Sequence, residues 1–232
     1  MSDAIHISVR TLVEHVFSSG SIDSRFRSQS TLLDGTRIHQ KIQKTYQADD
    51  QKEVYLRAEI PAEDLAFIID GRCDGLLFRD GEVIVDEIKS FSQPLEQFEG
   101  EGSPVHWAQA NMYAYMYAKD KELQEISVQL TYVHVETEVK KYFIKKCSFS
   151  ELSAFVLKVI EDYTPYAKLL HEHRKKRNDS SKELVFPFAT YREGQRKLAG
   201  VVYKSILDEK NLFAKAPTGI GKTISTLFPV VK

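Results

Sequence analysis

The sequence predicts an α/β fold, with strands and helices interspersed along the chain. Three observations carry this. Residues 66–79 and 82–88 are rich in β-formers and flank Asp80-Gly81, a pair that suits a two-residue type I′ turn because both central residues need positive φ. Segments such as 8–18 and 149–173 carry apolar residues at helical spacing. A glycine-containing loop at 216–223 follows a short apolar run and opens a last helix. The 232 residues suffice for one sizeable domain and part of another, at roughly 100–200 residues each.

Composition excludes several classes. Hydrophobic residues at 42% and charged residues at 28% describe an ordinary globular chain rather than a disordered one. The net charge of −1 means that any nucleic-acid surface is a local patch. No stretch approaches the ~18 consecutive apolar residues of a membrane span. The N-terminus lacks a basic region followed by an apolar core, so no signal peptide is expected. Cys73 and Cys147 stand far apart without metal-type spacing, which points to a reducing cytoplasm.

Taken in order, 8–18 reads as a helix ended by Ser19-Gly20, and 22–31 as polar and turn-like. A second helix is expected over 31–46, with Gly35 a weak point, then a short strand over 53–60 closed by Pro61. The hairpin follows. Residues 90–103 read as a long loop. Ser103-Pro104 opens a helix over 104–119, serine as cap and proline at the first position. A strand pair is expected over 125–134 and 138–147, then a helix over 149–173 with a kink or break near Pro165. Residues 174–183, with the basic run Arg174-Lys175-Lys176-Arg177, read as an exposed linker. The remainder is a helix over 193–208, a strand over 211–215, and the loop and helix from 216 onward.

The hairpin places chemistry. With Asp80-Gly81 as the turn, Arg79 faces Glu82, Phe78 faces Val83, Leu76 faces Val85 and Asp74 faces Glu87. The last three pairs share one face, and directly opposed Cβ atoms lie roughly 4.5–5.5 Å apart. Two facing carboxylates repel, and a hard divalent cation such as Mg²⁺ or Mn²⁺ removes the repulsion. Lys89 projects on the same side, where it can position water or stabilise charge on a phosphate. The register selects Glu87 over Asp86, which points to the other face. By themselves these residues also fit a surface hairpin with ordinary charges.

Asp74 with Glu87-Ile88-Lys89 resembles the PD-(D/E)XK nucleases. Other residues resemble the RecB-like branch of that family in order and spacing: His39 on the second helix, Gly71-x-x-Asp74, and Gln109-x-x-x-Tyr113 on the helix after the loop. The resemblance covers about residues 1–173. It implies a restriction-endonuclease-like fold, a mixed central sheet flanked by helices, and a metal-dependent DNA nuclease, an exonuclease in the first instance, in DNA repair or processing. It implies that His39, Asp74 and Glu87 bind the metal, that Lys89 serves the attacking water, that Gln109 supports the metal-and-water network and that Tyr113 contacts nucleic acid. Some relatives carry an iron–sulfur cluster on four cysteines. Two cysteines cannot hold one, so none is expected. A non-catalytic DNA-binding module is the alternative, which the opposed carboxylates disfavour.

The second motif is Ala216-Pro217-Thr218-Gly219-Ile220-Gly221-Lys222-Thr223. Glycines at Gly219 and Gly221 let backbone N–H groups curl around phosphates, Lys222 reaches the β/γ-phosphates and Thr223 ligates Mg²⁺. This form resembles superfamily 2 helicases, and Tyr191-Arg192-Glu193-Gly194-Gln195 resembles the adenine-reading glutamine motif of the DinG/XPD-like branch. Residues 186–232 thus read as an incomplete P-loop helicase fragment after a linker at 174–185. The acidic motif and second motor domain that complete an ATP site are expected beyond Lys232, so ATP turnover by this chain is not expected.

Overall fold

The computed structural model describes residues 3–17, 29–62, 65–92 and 102–232. The expectations for Ser19-Gly20, for residues 22–28 and for 93–101 lie outside them. Two compact units separate along the chain, Met1–Ala167 and Lys168–Lys232. Among the described residues no helix is long and apolar enough to cross a membrane.

The first unit is built on a mixed sheet flanked by helices. Its centre is β3 (Leu65–Arg79), fifteen residues long. One edge of β3 pairs antiparallel with β2 (Gln51–Ala62). The other edge serves two strands in succession. Leu65 to Asp70 run parallel to β1 (Asp3–Ser8), and Gly75 to Arg79 pair antiparallel with β4 (Glu82–Phe91). Between these two ladders the edge is open at residues 71–74. The sheet continues from β4 to a parallel β5 (Glu125–His134) and an antiparallel β6 (Lys140–Ser148).

The turn is the one the sequence predicts. Asp80 and Gly81 have φ of 51° and 83°, and Arg79 pairs with Glu82. Helix α1 (Val9–Phe17) buries Val9, Leu12 and Val13, and Thr11 N donates to Ser8 Oγ at 3.1 Å as an N-cap. Helix α2 (Gln29–Gln43) sets Ile38 and Ile42 against Ile88 and Val133 in a small core. Helix α3 (Pro104–Asp120) lays Ala108, Ala110, Met112 and Ala114 into the main core, and the alanines let it approach the sheet closely. Helix α4 (Phe149–Glu183) opens with a capping box, Ser148 N donating to Glu151 Oε2 and Glu151 N to Ser148 Oγ.

Four expectations need correction. Strand β1 was not foreseen. Its alternation rests on Ile5 and Ile7 alone, and its partner lies some sixty residues away in sequence. Helix α2 ends at Gln43, short of residue 46. Helix α4 runs unbroken through Pro165 and on through the supposed linker at 174–183. Pro165 and Glu161 are both exposed, so the carbonyl that loses its N–H partner meets water, and the basic run consists of good helix formers. Residues 211–215 form no strand: they carry no regular secondary structure between α5 (Gln195–Leu207) and α6 (Lys222–Val231).

Candidate active site

The open edge of β3 is where the polar residues converge. Asp74 stands one rung beyond the last β3–β4 pair, Gly75 with Asp86. Its Oδ2 accepts a hydrogen bond from Ile88 N at 2.8 Å, so the side chain draws β4 across a rung that backbone pairing leaves out. Glu87 projects from β4 on the cavity side, 1% exposed. Asp86 takes the opposite face and bonds Tyr46, Gln129 and Thr131 instead. The register therefore separates the two neighbouring acids as the turn predicts.

Lys89 Nζ lies 2.6 Å from Glu87 Oε1 and 3.3 Å from Gln109 Oε1 of α3. His39 of α2 places Nδ1 3.3 Å from Asp74 Oδ1. Helices α2 and α3 thus each deliver one of the expected side chains to the strand pair. They line a cavity of about 1040 Å³ with Asp74, Glu87 and Lys89. Tyr113 is placed differently from the expectation. It is 3% exposed, is hydrogen-bonded to Gln109 and lies over Gly71, so its hydroxyl faces the fold and not a nucleic-acid surface. A Cβ on residue 71 would meet Tyr113 Oη at 2.7 Å, which is the physical reason for glycine there.

Burial, and after it the Asp74 carboxylate, push the Glu87 carboxyl up to about 8, with Lys89 opposing. One oxygen, Glu87 Oε2, is buried without a hydrogen-bond partner. An orphaned carboxylate oxygen beside a second carboxylate is costly in a dry site. A hard divalent cation fits this donor set: two carboxylates and an imidazole, one oxygen already bare. As they stand, no three His, Cys, Asp or Glu side chains among the described residues are close enough together to hold an ion, and Lys89 engages Glu87.

Sequence reasoning missed several groups in the cavity wall. Gln43 and His106 each had a signal. Gln43 is four residues after His39 and His106 three before Gln109, so each shares a helix face with a residue already singled out. Burial, and then Lys89, hold the His106 imidazole down to about 4, and its Nδ1 lies 2.7 Å from Tyr132 Oη. Arg10 and Glu14 of α1, 2.8 Å apart, had no such signal, and neither had Glu53 of β2.

In the second unit, Gln195 is 2% exposed at the start of α5. Its Oε1 accepts from Arg192 N at 3.0 Å and its Nε2 points to Gly221 O at 3.5 Å. Gly219 and Gly221 have φ of 86° and 80°, as the curl of the loop requires. Lys222 folds onto its own loop, donating to Ala216 O at 3.2 Å and Pro217 O at 3.0 Å, while Thr223 is exposed. The glutamine and the glycine loop are together, and the lysine is occupied by backbone carbonyls.

The profile of the PD-(D/E)XK nuclease superfamily matches residues 6–211. Over 46 residues the chain is 39% identical to a probable ATP-dependent helicase of Methanocaldococcus jannaschii, a match that covers 20% of this chain and 7% of that protein. Among solved structures it is similar to the crystal structure of SSO0001, with a TM-score of 0.44 and 17% identity, covering 67% of this chain and 75% of that one.

Proposed function

This chain belongs to the PD-(D/E)XK nuclease superfamily, and from that premise we propose that it hydrolyses DNA phosphodiester bonds with Mg²⁺ or Mn²⁺, as an exonuclease. The observation that carries the proposal is Glu87: buried, with one oxygen unpartnered and the other on Lys89, and, like Asp74, one step beyond the Gly75–Asp86 pair. Asp74, Glu87 and His39 would hold the cation, which when bound stabilises charge on the phosphate and lowers the pKa of water. Lys89 is within reach of Glu87 and of Gln109, a geometry suited to orienting an attacking water or binding a phosphate oxygen. Gln109 fixes Lys89, and Tyr113 fixes Gln109.

Among the described residues, those lining this cavity lie between Arg10 and Gln109. We assign residues 186–232, which carry the glutamine and the glycine loop, a separate role in nucleotide contact of the helicase type. The experiment is cleavage of end-labelled single- and double-stranded DNA beside closed circular DNA, with Mg²⁺, Mn²⁺ or chelator. Metal-dependent loss of the end label with intact circles supports the proposal. DNA binding without cleavage under any metal means a non-catalytic DNA-binding module.

A further inference from the structure

Directly behind the cavity lies a buried group that the chemistry does not use. Asp86 is 1% exposed, and its side-chain hydrogen-bond partners among the described residues include no cation. Gln129 Nε2 donates to its Oδ1 at 3.0 Å, Thr131 Oγ1 donates to the same oxygen, and Tyr46 Oη donates to Oδ2 at 2.7 Å. A carboxylate held by neutral donors alone is a costly item in a core. It sits next to Glu87 in sequence and pairs with Gly75, the residue after Asp74.

Gly75 carries a second indication. Its φ is not in the left-handed region, so the backbone does not demand glycine. The demand comes from Tyr46: a Cβ at residue 75 would stand 2.2 Å from Tyr46 Oη and 2.6 Å from Cε2. Tyr46 follows the end of α2, the helix that carries His39. One turn after His39, Gln43 Nε2 donates to Asp74 O at 3.0 Å and to Glu53 Oε1 at 2.8 Å. The C-terminal end of α2 is thus bonded to the backbone of Asp74 by Gln43 and to the next rung by Tyr46.

We infer that Tyr46, with Asp86 and Gly75, forms a latch that positions His39 beside Asp74, so that Tyr46 and Gln43 are positioning residues for the cation site. The latch fixes the helix to Asp74, itself a ligand, and to Asp86, the neighbour of the ligand Glu87. A ligand-bearing helix held this way delivers its imidazole without a search, and groups that orient ligands commonly contribute ~10–100-fold to metal affinity.

The inference rests on His39, Asp74 and Glu87 holding the cation, and its test separates the two. Mn²⁺ binding is measured by calorimetry, without DNA, for the full chain and for Tyr46→Phe, which removes only the hydroxyl. The affinity is expected to fall by about ten-fold or more, while His39→Ala made in the Tyr46→Phe background adds less than it does alone, since both act on one interaction. Gln43→Met, which removes the other tether with a side chain of similar length, is expected to act in the same direction. Wild-type affinity in both Tyr46→Phe and Gln43→Met, or full additivity with His39→Ala, overturns the latch alone. Absence of Mn²⁺ binding by the wild-type chain overturns the metal reading and the latch with it.

Discussion

At the scale of single residues, two positions show how side chains are forced by what touches them. Gly71 lies under Tyr113, and the contact that excludes a Cβ there also sets the helix face that presents Gln109 to Lys89. Gly71→Ala is expected to displace Tyr113 and reduce cleavage by about 10², since ~1 Å of misplacement can cost that much; single-turnover rates would show it. Asp50 is the second position. Its carboxylate accepts from Gln47 N, Phe78 N and both guanidinium ends of Arg79, which hold it down to about 2. A folded-state value below the ordinary carboxylate range contributes stability that is present above ~4 and lost as pH falls towards 2. Asp50→Asn should therefore be less stable than wild type near neutrality, by about 1–3 kcal/mol for lost charged hydrogen bonds. The gap should narrow between pH 4 and 2 in urea titrations; a gap independent of pH would mean that Asp50 acts through shape alone.

At the scale of elements, the β3–β4 hairpin was legible because two short-range signals agree there. The alternation and the Asp-Gly pair fix one register, and that register alone chooses Glu87 over Asp86. Gly81 has no atom near where a Cβ would stand, so Gly81→Ala tests backbone conformation without a steric contribution. It should cost about 1–2 kcal/mol in denaturant midpoints and leave the activity of the folded protein unchanged. The elements that were not legible depend on partners far along the chain. Strand β1 offers only Ile5 and Ile7 as a pattern, and becomes a strand because β3 has an edge to give it. Residues 211–215 carry a strand-like composition and form no strand, with no ladder partner among the described strands. Tyr46 escaped notice for the same reason: its role exists only once the end of α2 is laid against Gly75 and Asp86. His39 and Gln109 were legible through the spacing of known relatives, not through any periodicity of their own.

At the scale of the whole molecule, the two units differ in how well they cover their apolar side chains. The first buries Phe67, Leu76 and Ile88 completely or nearly so, whereas the second leaves Leu212 at 38%, Leu227 at 55% and Phe213 at 97% exposed. Amides of 211–216 should exchange with solvent far faster than those of 75–86; equal protection would contradict this account of the second unit. The described lining of the cavity belongs to the first unit and the glycine loop to the second. The most direct measurement compares Lys89→Ala with Lys222→Ala in cleavage of labelled DNA with Mn²⁺, with and without ATP. Lys89→Ala should lower the rate by ~10²–10³, the usual loss for a group that acts on the reacting charge, while Lys222→Ala and ATP leave it nearly unchanged. A requirement for ATP, or a Lys222→Ala defect as deep as that of Lys89→Ala, would contradict a cleavage site complete within the first unit.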